Sequence, residues 1–203
     1  MPNELHYFSA IEYKFQQRFR AFRDRFLKLL IAPLVYFRIK PNTITLVSFL
    51  SILVFAYFLV SSPYVAVLFL LVHIALDGID GVLARALHES GRAGAFLDIL
   101  NDHSGLVVVV LALVYNNFVN PTLGILYVYL YSLLIALLLY SNSLGIPPVI
   151  TLRTKYFLYC IYLVWVFLDV SYFQAAVMVF TILTTPFVVI TIVRVFFSLN
   201  KRG

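Results

Sequence analysis

Between Asp77 and Asp102 the chain reads DGIDGVLARALHESGRAGAFLDILND, which sets four aspartates inside otherwise apolar sequence. An ionised Asp at bilayer depth costs about 2.5–3.5 kcal/mol even on lenient insertion scales, so four would cost on the order of 10 kcal/mol unless something neutralises them. The spacing restricts the remedy. Asp77 and Asp80 are three apart, and Asp98 and Asp102 are four apart, so on helices each pair shares one face. Two helices joined by a short polar turn around His88–Arg92 would bring the two faces together. Four converging carboxylates match two divalent cations, and their hard oxygens suit Mg2+ or Mn2+. Gly81, Ala84 and Gly94 are small enough for a backbone or a flat ligand to come close. Arg85 is a fixed cation able to orient a carboxylate or to hold a phosphate.

The surroundings of this stretch place it in a membrane. Of 203 residues, 63% are hydrophobic and only 12% charged, which excludes an ordinary soluble domain. The net charge of +6 does not point to nucleic acid, because all 15 Lys and Arg fall in Lys14–Lys40, Arg85–Arg92, Arg153–Lys155, Arg194 and Lys201–Arg202. If the chain crosses six times, every one of these lies on the same side. The other connections, near Ser61–Ser62, Asn116–Pro121 and Asp169–Gln174, carry none. That asymmetry puts both termini and the acidic stretch in the cytoplasm. The N-terminus, polar and aromatic, is not expected to be a cleavable leader. The single cysteine, Cys160, is expected to be a buried small hydrophobe with no redox role.

The fold class expected is therefore an all-α integral membrane protein with six transmembrane helices, preceded by an interfacial amphipathic helix. That first helix is read over Leu5 to about Ile31, where Phe8, Ile11, Phe15, Phe19, Phe22 and Phe26 recur at spacings of three and four between basic residues. Residues 1–40 form this juxtamembrane segment and residues 41–203 the membrane domain. The spans are Ile44–Val60, Pro63 to about Leu87, about Ala93–Tyr115, Pro121–Tyr140, Arg153–Leu168 and Ala175 to about Phe197, the last with a kink at Pro186. Pro41 opens the first, with Asn42 or Thr43 as its helix cap. Both halves of the acidic stretch then stand at the cytoplasmic ends of adjacent spans. His103 follows Asp102 but points about 100° away on a helix, as a supporting or packing residue.

The fixed positions Asp77, Asp80, Gly81, Ala84, Arg85, Gly94, Asp98 and Asp102 give D-x2-D-G-x2-A-R-x8-G-x3-D-x3-D, a pattern too long to arise readily by chance. The chain resembles the CDP-alcohol phosphotransferases, also called phosphatidyltransferases. These membrane enzymes move a substituted phosphate from a CDP-linked donor to an alcohol. The resemblance implies that Asp77, Asp80 and Asp98 are metal ligands and that Asp102 sits at two Mg2+ or Mn2+ ions and acts as the catalytic base. It implies that Gly81, Ala84 and Gly94 leave room for the cytidine, with Arg85 supporting the phosphates. Pro41-Asn42-Thr43-Ile44-Thr45 is similar to the entry of the family's first span, which implies donor-binding roles for Asn42 and Thr45. The expected partners are a CDP-linked lipid, a small alcohol or alcohol phosphate, and membrane lipid. A homodimer is among the assemblies allowed.

The acceptor stays open. Gly94-Ala95-Phe96-Leu97-Asp98 is similar to members that make phosphatidylglycerol phosphate, which carry Lys after the last Asp where this chain has His103. Inositol phosphate, serine, or diacylglycerol with a CDP-amino-alcohol donor are the other possibilities. Arg153, Lys155 and Arg194 stand at the membrane level of the aspartates and are the candidate acceptor-binding cations, suited to a phosphate. A different class, a membrane carrier using the aspartates as a cation or proton site, explains intramembrane carboxylates. It does not explain the glycines, Ala84 and Arg85 at these intervals.

Overall fold

The computed structural model describes residue 27 and residues 31–146 and 154–201. Among them all regular structure is helical: α1 (Pro41–Phe58), α2 (Pro63–Ala86), α3 (Arg92–Tyr115), α4 (Pro121–Ser143), α5 (Thr154–Leu168) and α6 (Phe173–Asn200). Five of these, α1, α2, α3 from Ala93, α4 and α6, are long and apolar enough to cross a bilayer, so the chain is a multi-pass integral membrane protein. The described length of α5 is 15 residues. That is about 22 Å of helix against a hydrocarbon core of about 30 Å. The expected amphipathic helix over 5–31 falls almost wholly outside the described residues.

Proline and the left-handed region punctuate these helices. Pro41, Pro63 and Pro121 each begin a helix, where the missing N–H would have had no intrahelical partner. Pro41 makes Lys40 the N-cap of α1, with no side-chain cap bond, so the expected capping by Asn42 or Thr43 does not occur. Both residues already lie inside the helix, past the position from which a side chain caps. Asn120 does cap α4, its Oδ1 accepting from the backbone N–H of Thr122 at 2.9 Å and of Leu123 at 3.4 Å. At the end of α2, His88 takes φ 57°. The Glu89 N–H then bonds to the Ala84 carbonyl at 2.9 Å and the His88 N–H to that of Arg85 at 3.3 Å. This pair of bonds closes the helix and turns the chain within a few residues toward α3.

The described chain divides into two compact units, one up to Ala112 and one from Leu113. In the first, α1 buries Ile44, Ser48, Ser51, Ile52 and Phe55 along one strip, and α2 buries Ala66, Leu70, His73, Asp80, Val82 and Leu83. The opposite face of α1, with Leu46, Leu50 and Leu53, is exposed, as suits a helix bathed in lipid. Gly105 on α3 comes close to this pair: a Cβ there would lie 3.8 Å from His73 Cε1 and 4.0 Å from Ile52 Cγ2.

In the second unit, Leu134, Leu138 and Val188 form a buried cluster between α4 and α6, flanked by Leu130, Leu133, Leu137 and Phe187. α6 continues as one helix through Pro186. Around the α3–α4 connection, Phe118 packs on Trp165 and Phe173 with ring centroids 4.9 and 5.1 Å apart. Cys160 is exposed on α5 rather than buried, because the buried side of that helix is taken by Leu158, Tyr159 and Tyr162.

Gly105 yields a test of the first unit. Gly105→Ala adds a methyl at ordinary contact distance and removes a helical glycine, so it is expected to stabilise by up to about 1 kcal/mol. Gly105→Leu overfills the gap and is expected to destabilise by about 1–3 kcal/mol. Thermal unfolding of the detergent-solubilised protein measures both, and a reversed order would contradict this packing.

Candidate metal centre

Two helices supply the acidic groups. Asp77 lies on α2, and Asp98 and Asp102 lie one turn apart on α3. Each offers a carboxylate oxygen, and these oxygens all lie within 4.8 Å of one another. Asp77 and Asp102 are half-buried, while Asp98 is exposed. Three hard anionic oxygens this close fit a divalent cation, which removes the repulsion that would otherwise push them apart. The Schellman turn at His88 is the local cause of the convergence, since it reverses the chain between the two acidic faces.

Asp80 is treated differently by the fold. It is only 6% exposed and is not among the three grouped carboxylates. Its Oδ2 accepts from Thr45 Oγ1 at 2.8 Å and its Oδ1 from the Gly81 N–H at 2.6 Å. The Thr45 bond fixes α1 to α2 at the level of the site. Asp80 also interacts electrostatically with Asp77 and Asp102, so it belongs to the same charged neighbourhood. A carboxylate has about four lone-pair sites, and the two bonds leave capacity for a cation.

A second polar contact joins α1 and α2 one to two turns deeper. His73, 1% exposed, places Nδ1 at 3.1 Å from the Ser48 carbonyl and 2.9 Å from Ser48 Oγ. A carbonyl only accepts, so Nδ1 carries the proton and, in the neutral ring, Nε2 carries the lone pair. Ser48 Oγ donates in turn to the His73 carbonyl at 3.3 Å. Sequence reasoning passed over Ser48 and did not pair Thr45 with Asp80. The available signal was that Thr45 and Ser48 stand three apart, with Ser51 three further on, on a side of α1 that is otherwise apolar.

The glycines near the carboxylates differ in the space around them. Nothing lies within 4 Å of a Cβ built on Gly78 or Gly94, and a Cβ on Gly81 would meet Arg85 Nη1 at 3.5 Å. The Arg85 guanidinium thus reaches back over Gly81. Ala84 is half-buried and Asn42 exposed. His103 is half-buried and is not one of the three grouped residues. In the second unit, Lys155 is buried with Nζ 4.9 Å from the Tyr156 ring centroid, and Arg194 is exposed on α6. Arg153 lies outside the described residues.

Residues 38–196 match the family profile described as CDP-alcohol phosphatidyltransferase, a span that contains every described site residue above. A search of curated proteins finds no match to the chain.

The carboxylate cluster makes a prediction independent of any reaction. Mn2+ at about a hundredfold excess over its dissociation constant should stabilise the protein by about 2.7 kcal/mol relative to chelator. Differential scanning of the wild type and of Asp98→Asn checks this. The substitution should remove most of the shift, and an equal shift in both would exclude the cluster as the binding site.

Proposed function

The chain belongs to the CDP-alcohol phosphatidyltransferase family, and we propose that it moves the phosphatidyl group of CDP-diacylglycerol to an alcohol acceptor with release of CMP. The observation that carries this reading is the convergence of Asp77, Asp98 and Asp102 from two helices to within 4.8 Å. In the proposal these three, with Asp80, hold two divalent ions, Mg2+ or Mn2+. When bound, the ions neutralise the donor diphosphate and the charge that develops on the departing CMP.

The protein's own part is positioning and proton transfer. Asp102 takes the proton of the acceptor hydroxyl, and the hydroxyl oxygen bonds to the phosphorus that carries diacylglycerol. The bond from that phosphorus to the CMP oxygen breaks. Gly81, Ala84 and Gly94 leave room for the cytidine, Asn42 and Thr45 line the donor side, and Arg85 supports the phosphates. Thr45 does so through Asp80, whose carboxylate it orients. Little covalent chemistry is asked of the chain, because orientation and charge supply most of the acceleration in such transfers.

The site and both termini face the cytoplasm in this proposal, on the distribution of Lys and Arg. The six-span layout, with residues 1–40 as a separate interfacial segment, and a homodimeric assembly are part of the same reading. Arg153, Lys155 and Arg194 are proposed to hold the phosphate of a phosphorylated acceptor such as glycerol phosphate or inositol phosphate.

Purified protein supplied with CDP-diacylglycerol and a panel of alcohols, with product masses read out, tests the reaction and names the acceptor. CMP release should stop in excess chelator and return with Mg2+ or Mn2+. Asp102→Asn should abolish turnover while sparing much of the donor binding. Near wild-type turnover by Asp102→Asn would assign the base elsewhere, with His103 the next group to test. Arg153→Ala should raise the acceptor KM roughly tenfold or more through loss of a charge-assisted bond. An unchanged acceptor KM would leave that arginine to topology alone.

A further inference from the structure

Asn101 is a buried polar residue to which the proposed reaction gives no role. It is 6% exposed, and both its Oδ1 and Nδ2 lack a hydrogen-bond partner. A buried carboxamide orphaned at both ends is costly, and native chains rarely keep one without a use for it. Its place on α3 indicates the use. Gly94, Asp98, Asn101 and Gly105 follow one another at intervals of four, three and four, so they run along one strip of the helix. Asn101 is one turn past Asp98 and immediately precedes Asp102. Side chains three apart on a helix have Cβ atoms about 5–6 Å from each other, within reach of one water between them. The strip is open at Gly94, one turn before Asp98, where nothing lies within 4 Å of a built Cβ.

We propose that Asn101 is a positioning residue of the metal centre, its carboxamide holding a water of the hydrated divalent cation that Asp98 and Asp102 ligate. The inference rests on the reading of Asp77, Asp98 and Asp102 as cation ligands. The chemistry favours water as the ligand. Mg2+ and its close analogue Mn2+ retain several waters when bound by carboxylates, and a metal-bound water is a strong donor. The neighbouring carboxylates can only accept, whereas Asn101 accepts through Oδ1 and donates through Nδ2. It can therefore take a hydrogen bond from the water and give one to a carboxylate oxygen. Such outer partners fix the orientation of the groups that touch the metal.

The test is Mn2+ binding to the full-length protein in detergent, with free Mn2+ read by electron paramagnetic resonance and no substrate present. Wild type, Asp98→Asn, Asn101→Leu and Asn101→Asp are compared, and each is also melted in chelator. Asn101→Leu, which removes both orphaned atoms, should bind Mn2+ roughly tenfold or more weakly. In chelator it should melt no lower than wild type. Asn101→Asp keeps the shape and the acceptor and should hold Mn2+ within about threefold of wild type or more tightly. If Asp98→Asn loses binding while Asn101→Leu keeps wild-type affinity, the inference about Asn101 is overturned and the metal centre stands. Equal weakening in Asn101→Asp and Asn101→Leu would overturn the water-holding role as well. A wild type that binds no Mn2+ overturns the metal centre, and the inference with it.

Discussion

The mutual repulsion of Asp77, Asp98 and Asp102 is the constraint to which the first unit answers. With oxygens within 4.8 Å, each ionised pair repels by roughly 3–4 kcal/mol at an effective dielectric of 20. Three such pairs approach the net stability of a typical folded chain, about 5–15 kcal/mol. Helices free to separate would do so. Here α2 and α3 are joined by a turn of a few residues closed at His88, and α1 packs against α2. A bound cation would turn the same closeness from a liability into an attraction.

The role of α1 is larger than its composition suggests. Its buried strip is mostly apolar, yet Thr45 and Ser48 interrupt it where α2 carries Asp80 and His73. Each contact satisfies a polar group that lipid could not satisfy. The two contacts also fix the rotation of α2 about its axis, because a helix turned by one residue would break both. A transmembrane helix without a reactive residue of its own can thus decide where carboxylates on its neighbour point.

These features agree with a transferase of substituted phosphate groups. Such a reaction needs charge neutralised, two substrates oriented and one proton moved, and it needs no covalent intermediate. The family's donor is a CDP-alcohol, and the grouped carboxylates of α2 and α3 are the acidic cluster of this chain among the described residues. The two units hold different charged groups of the candidate site. The first holds the carboxylates, and the second holds Lys155 and Arg194 among aromatic and aliphatic side chains.

The sequence by itself determined the helical class, the positions of the described helices to within a few residues, and the approach of Asp77 on α2 to Asp98 and Asp102 on α3. Prolines, apolar run lengths and three- and four-residue spacings are local quantities, and backbone satisfaction in lipid leaves helices as the natural answer for such runs. It also singled out Asp77, Asp80, Asp98 and Asp102, because carboxylates in apolar sequence are too costly to keep unless a ligand or a partner neutralises them; three of the four, without Asp80, stand grouped. It misjudged Cys160, since a helix that is apolar all round does not announce which side faces its neighbours. It did not reveal that Asp80 is clasped by Thr45, that His73 answers Ser48, or that Asn101 is buried with its amide unanswered. Those facts depend on the relative rotation of α1, α2 and α3, which side-chain packing across helices sets and no spacing along one helix encodes.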